Sequence, residues 1–530
     1  GPGGGFGSAN HGFGGGHGGV GAGAPGGATY DSTNAPTEPG SGGGNCNGAA
    51  QPGGNGGGAV RIQAGGTVQV DGTLTANGAN VGVSYGAGGG SGGSVYITCG
   101  TLKGSGSVRA DGGNGYNWGH SSGGGGGGRI AVVYATAENV TIKFSLRNGM
   151  SYDDGALIGE WLSRGEVGTL YLSDTNFLPT SLMANYFHLR INAFNNWAPS
   201  SLTVTGGWVR LQDDLNVSVA GDLVVGTNGT LAFGERSTVT VGGDLLATNG
   251  GTLYVHSGIT NAISTNYGSA VTVQGAMRVA PNSVIYAAAH PTAVGTPLFV
   301  VGSLTVAAGG AISAKALGYY IKVSGGGYGP GGGGAGGNEG AGGGHGGKGG
   351  DARPGFGVLG GGTYGSEEAP ITAGSGAGDC NNYKWAQGGG AVRIRTLNSG
   401  AVTVDGTITA DGICETNYNG GDHGAFYAYG SGGGAGGSVY IECGRFAGNG
   451  AISARGGNGA NIGGWNGGGG GGRVAIWRQR DYWTGPVFTT NAVVPGGVKG
   501  AGDATTTDGS NGTLVLGFLR LQTGTVILIR

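Results

Sequence analysis

Between residues 216 and 255, apolar and polar residues alternate in short bursts broken by glycine or asparagine. "NVSVAGDLVVGTNGTLAF" (216–233) aligns with "TVTVGGDLLATNGGTLYV" (238–255) at a shift of 22 residues. Looser versions follow at 271–287 and 299–314. Alternation with a period of two marks strands with one buried face. Gly and Asn supply the positive φ angles that corners need. A rung of about 22 residues, made of short strands and tight corners, predicts a parallel β-solenoid, in which each strand bonds to the rungs above and below. The alternation also sets a register. Val217, Val219, Leu223, Val225, Leu231 and Phe233 are expected inside. Val239, Val241, Leu245, Ala247, Leu253 and Val255 should stack on them one rung later, at the roughly 4.8 Å spacing of hydrogen-bonded strands.

A longer period frames this segment. "GPGGG" (1–5) recurs at 329–333, "GGGHGG" (14–19) at 342–347 and "GGGAVRI" (56–62) at 388–394. "VDGTLTA" (70–76) returns as "VDGTITA" (404–410), and "GGSVYITCG" (92–100) as "GGSVYIECG" (436–444). The chain is therefore a tandem duplication, with a glycine-rich β repeat at 1–172, a solenoid segment at 173–328, a second glycine-rich repeat at 329–516 and a terminal strand segment at 517–530. The repeats obey the same strand frame, with glycine tracts inserted at corners. "GGGGGGRIAVVY" (123–134) and "GGGGGGRVAIW" (467–477) mark where the chain re-enters the coil. The fold class is all-β.

Composition bears on how such tracts can be ordered. Glycine supplies 137 residues and proline 15, while only 10% of residues are charged. Fixing a glycine costs more backbone entropy than fixing any other residue. What glycine offers in return is close backbone approach. Extended polyproline-II-like strands without Cβ atoms can lie side by side and hydrogen-bond laterally, so the tracts are expected to pack into an ordered polyglycine II layer. The net charge of −2 and the lack of a basic block give no footprint for nucleic acid. No apolar run reaches the roughly 18–20 residues of a membrane span. The chain opens at Gly1 rather than Met, as expected of a processed terminus or a fragment.

Candidate chemistry is thin. GxGxxG patterns arise here from composition alone and none opens a helix. Lys348 in "GGGHGGKGG" is followed by Gly349, not the Ser or Thr of a phosphate loop. His11, His17 and His345 lie in glycine tracts without the Cys or carboxylate neighbours of a metal site. Asp153 and Asp154, and Glu367 and Glu368, are adjacent acids with no second pair set for glycoside cleavage. Asp71 and Asp405 read as turn formers. Arg61, Arg129, Arg393 and Arg473 each follow a glycine block, either to bind carbonyls of a neighbouring glycine strand or as solvated strand-edge cations. Catalytic, cofactor and metal sites are thus expected to be absent. Cys46 matches Cys380 and Cys99 matches Cys443, leaving Cys414 without a counterpart. The matched pairs are read as Cys46–Cys99 and Cys380–Cys443 disulfides, with buried thiols as the alternative. Bridges would place the chain in an oxidising compartment.

"GGGSGGSVYITCG", "GSVRADGGNG", "GGGGGGRIAVVY" and "GTLYL" together resemble glycine-rich repeat proteins of the secreted bacterial surface and fibre type. The resemblance covers both repeats, and the middle segment looks like the β-solenoid of autotransporter-type adhesins. It implies an exported, adhesive or fibre-forming role at the cell surface. The expected function is a non-enzymatic subunit of an extracellular filament or surface layer, with the chain itself as partner. A carbohydrate-binding or polysaccharide-cleaving solenoid, with surface glycans as partner, is the alternative. Trp118, Trp161, Trp385, Trp465 and Trp483 near the excursions speak for it.

The ends suggest how copies join. "YYIKV" (319–323) precedes the second repeat, and nothing precedes the first. "GFLRLQ" (517–522) matches "GWVRLQ" (207–212) and opens a rung left unfinished. Thr525, Val526, Ile527, Leu528, Ile529 and Arg530 are expected to add as a strand to the Gly1–Pro2 end of the next copy.

Overall fold

The structure, a computed structural model, describes all residues except 9–10, 24–25, 47–50, 83–85, 117–121, 154–155, 158–164, 175–177, 179, 192–194, 260–267, 294, 323–324, 338, 379–385, 414–430, 462–463, 480–482, 485–490, 501–503 and 520–530. Among the described residues there is no α-helix. Among the described residues, two 16-stranded sheets are built from parallel pairs, and two short antiparallel strand pairs lie outside them.

One middle rung shows why the chain coils. Strands Asn216–Val219, Leu223–Gly226 and Thr230–Phe233 form its three sides. Each pairs in parallel with the strand 22 residues on: Val217 with Val239, Leu223 with Leu245, Leu231 with Leu253. All twelve positions expected inside are at most 2% exposed. Corner residues Asn228, Asn249 and Asn282 adopt positive φ of 57°, 50° and 61°, the conformation in which Asn substitutes for Gly at least cost.

The glycine-rich repeats continue the same coil. Strand Ala59–Gln69 turns one corner at an irregularity between Ala64 and Thr67, and Thr73–Thr75 forms the third side. Ser94–Gly104 and then Arg129–Val140 stack on it in order. The second repeat sits directly on the middle segment. Leu298–Val306 pairs with both Ala391–Thr396 and Ala401–Val404, and Ala311–Ser313 pairs with Thr407–Thr409. One apolar core therefore runs from Val70 to Ala492, through both repeats and the segment between them.

Within each repeat, every glycine excursion leaves the coil at one corner, between the third side of a rung and the first side of the next. In the first repeat these are 76–93, 110–128 and 146–168. In the second they are 314–390, 410–437, 454–472 and 494–512. Successive excursions are thus delivered side by side, and their hydrogen bonds have a period of three. Gly123 and Gly126 donate to Gly12 and Gly15; Gly124 and Gly127 to Ser151 and Glu166; Gly125 and Gly128 to Gly113 and Ala110. The second repeat does the same, with Gly467 and Gly470 donating to Gly340 and Gly343, Gly468 and Gly471 to Thr507 and Ser510, and Gly469 and Gly472 to Gly457 and Ala454. Three residues per turn is the polyproline II period, so the layer expected from composition forms. At its closest contacts it leaves no room for a side chain. A Cβ on Gly14 would stand 1.8 Å from the Gly124 carbonyl oxygen, and one on Gly18 would stand 1.8 Å from that of Gly128.

Candidate assembly surface

The two repeats begin with matching rungs that have different surroundings. Strand Ala59–Gln69 pairs with Ser94–Gly104 along one edge, and no described strand pairs with its other edge. Its apolar residues Val60, Ile62 and Val68, with Leu74 on the third side, are half-buried against the core. The matching Val392, Ile394, Val402 and Ile408 of the second repeat are at most 1% exposed, because the rung at 298–313 lies over them. The same cover explains a difference in charge placement: Arg393 is buried, whereas the matching Arg61 is exposed with its guanidinium 5.8 Å from the Tyr96 ring.

The other end of the coil is also half-covered. Strand Thr513–Phe518 pairs with Arg473–Arg478 on one edge and with no described strand on the other. Leu514 and Leu516 are half-buried against the core. The expected docking strand, Thr525 to Arg530, lies outside the described residues. Gly1 and Pro2 occupy an exposed turn in which the Gly4 N–H donates to the Gly1 carbonyl at 3.0 Å. In the second repeat the start of "YYIKV" lies in the glycine layer, the Tyr319 N–H donating to Gly374 at 3.1 Å and the Gly388 N–H to Tyr319 at 3.0 Å.

Beneath each glycine layer lies a matched polar cluster. His17 and His345 are fully buried, and each donates Nδ1–H to a carbonyl, Gly92 at 3.0 Å and Gly436 at 2.9 Å. Arg129 and Arg473, the first residues after the six-glycine blocks, are buried rather than solvated. Arg129 donates Nε–H to Tyr30 O (2.8 Å) and a terminal N–H to Thr169 Oγ1 (2.8 Å). Arg473 does the same with Tyr364 O (3.0 Å) and Thr513 Oγ1 (2.9 Å), and also reaches Glu367 at 3.3 Å. These arginines pin the Tyr30 and Tyr364 loops to the coil. The pattern alone did not single out Tyr30, Asp31 or Thr372, although the recurrence of "TY" at 29–30 and 363–364 was a usable signal.

The clusters differ at one position. Asp31, at φ 70°, is matched by Gly365, at φ 76°. In the first repeat His17 Nε2 faces the Asp31 carboxylate at 3.4 Å; in the second, His345 Nε2 accepts from Thr372 at 2.9 Å. Burial, with the nearby Arg473 guanidinium, holds the His345 imidazole down at about 4. Burial also lowers His17, but Asp31 opposes the shift. Burial works to raise the Asp31 carboxyl, yet the N–H groups of Glu38, Ser32 and Thr37 and the His17 ring together hold it below its ordinary value.

The cysteine pairing requires correction. Cys99 and Cys443 are free thiols turned into the solenoid core. Cys46 lies in a separate cluster with Val81 and Ala87 under the glycine layer, so no Cys46–Cys99 bridge forms. Cys443 is unbridged too, and its presumed partner Cys380 lies outside the described residues, as does Cys414. Burial pushes the Cys443 thiol up to about 12 and raises Cys99.

The remaining candidates have local roles. Asp71 Oδ1 accepts the Ser105 N–H and Asp405 Oδ1 that of Asn449, both at 3.0 Å, so each carboxylate clamps its turn to the next rung. Lys348 pairs with Asp351 at 3.1 Å. His11 stacks on Phe13. The Glu368 carbonyl accepts from Trp477 Nε1 at 2.7 Å. Trp465 stacks on the Arg353 guanidinium; Trp118, Trp161, Trp385 and Asp154 lie outside the described residues, as do the side chains of Trp483 and Asp153. Among the described residues no three His, Cys, Asp or Glu side chains are grouped to hold a metal ion, and no helix is long and apolar enough to cross a membrane. No protein-family model, curated protein or solved structure matches this chain.

Proposed function

We propose that the chain is a structural, non-enzymatic subunit of an extracellular filament or surface layer, assembling head to tail by strand addition. One observation carries this reading: a core without interruption from Val70 to Ala492 meets, at Ala59–Gln69, a strand edge that no described strand pairs with and that carries a half-covered apolar row. An unpaired parallel edge is a template for another strand, and a heterologous contact that does not close into a ring gives an open filament. The glycine layers suit the same role, since their order rests on backbone hydrogen bonds and close packing rather than on a site.

Electron microscopy of the purified chain, beside a variant lacking 519–530, tests the proposal. Filaments from the full chain are expected, and a full chain that stays monomeric would overturn the reading. Unassembled particles from the truncated chain would assign the joining strand to 525–530, and filaments from it would assign the joining strand to what precedes residue 519. Glycan-array binding accompanied by release of reducing sugar would replace the filament reading with the polysaccharide one.

A further inference from the structure

The glycines of the first rung have no visible reason to be glycines. In the second repeat the reason is plain. A Cβ on Gly400 would stand 1.8 Å from the Gly302 carbonyl oxygen, one on Gly406 would stand 2.2 Å from that of Gly310, and one on Gly390 would stand 2.7 Å from that of Leu317. All three carbonyls belong to the turn of chain that covers this rung. In the layer, a Cβ on Gly376 would stand 2.2 Å from Tyr320 O. The matching positions in the first repeat are Gly66, Gly72, Gly58 and Gly42. Nothing comes within 4 Å of a Cβ built on the first three, and the nearest atom to one on Gly42 is at 3.5 Å. None of the four has a positive φ that would itself call for glycine.

From this we infer that the first rung is an interface shaped to receive a whole solenoid rung, and that its occupant is the trailing end of a second copy of this chain, led by strand Thr513–Phe518. The inference rests on the filament reading above and names the surface through which it acts. Three features select the occupant. Thr513–Phe518 matches Thr169–Leu172 by sequence and, like the first half of Ala59–Gln69, opens a rung after a glycine tract. The two strands lie in different sheets of the coil, so the second copy is rotated about the axis to bring them together. The edge of Thr513–Phe518 that no described strand pairs with lies at the opposite end of the coil from that of Ala59–Gln69, so two copies stack coaxially with every strand parallel. Its half-covered Leu514 and Leu516 supply the row that Val60 and Ile62 lack. The contact extends from the rung into the glycine layer at Gly42, where Tyr320 lies in the second repeat.

Because nothing among the described residues approaches a Cβ on Gly58 or Gly72, substituting them tests the interface without disturbing the fold. Gly72→Val and, separately, Gly58→Val are compared with the wild type by sedimentation velocity and thermal melting. Unchanged melting of the unassembled chain is expected, with association weakened about ten- to a hundredfold, the range that one overpacked contact produces. Variants that assemble as the wild type does would overturn the inference and leave the filament reading standing. A wild type that is monomeric at every concentration would overturn both.

Discussion

The rungs at 59–76 and 391–410 are two near-copies of one sequence, and they differ mainly in what lies above them. Ile394 is shut away under Phe299, its register partner, while Ile62 is left half-buried. The polar clusters make the same point. His17 and His345 hold the same bond to a backbone carbonyl, but an aspartate faces one ring and a hydroxyl the other. In a solenoid, burial belongs to the stack and not to the rung, so the same residues can be core at one position and interface at another.

The sharpest test sets glycine against glycine. Gly406→Val drives a side chain into the Gly310 and Ala307 carbonyls and should cost about 3 kcal/mol, whereas Gly72→Val should leave the melting temperature of the unassembled chain unchanged. Equal effects would mean that the first rung is not open. Next come the apolar rows. Ile394→Ala should cost roughly 2–5 kcal/mol by denaturant unfolding, and Ile62→Ala less than half as much, because less area leaves water to begin with.

Acid separates the two clusters more gently. His345 is depressed in the fold from its ordinary 6.5 to about 4. Its neutral form is therefore the folded one, and its stabilisation is complete above about pH 6.5 and lost as the pH falls toward 4. His345→Gln should flatten the loss of stability over that window, and His17→Gln should flatten it less because Asp31 offsets the penalty. A larger effect at His17 would reverse the comparison. Last and smallest, the buried thiols should react slowly at neutral pH, Cys443 more slowly than Cys99, as followed by timed thiol labelling.

Much of the coil was legible because alternation is a local signal. Every inward position from Val217 to Val255 was readable from period two alone. The glycine layer was legible as chemistry, since nothing but missing Cβ atoms explains tracts such as 123–128. The corner from which the tracts leave was not legible, because only the stacking of whole rungs reveals it. The disulfides failed for a related reason. Matched cysteines indicate matched environments, but Cys46 and Cys99 have different ones, one under the layer and one inside the coil. The clusters escaped because Arg129 and its acceptor Tyr30 lie 99 residues apart. Sequence proximity could not join them, although each recurs in the second repeat.

The three-residue period of the glycine tracts has a mechanical consequence. A strand in a flat sheet has two neighbours and can be peeled away one bond at a time from an edge. The tract at 123–128 donates in turn to the 12–15 stretch, to 151 and 166, and to the 110–113 stretch, so a pull on it is shared among three directions. Load applied there must shear several ladders at once. Within each repeat, the layer that leaves the rungs by the same corner thus braces the coil like a keel, resisting bending in a way that a stack of rungs alone would not.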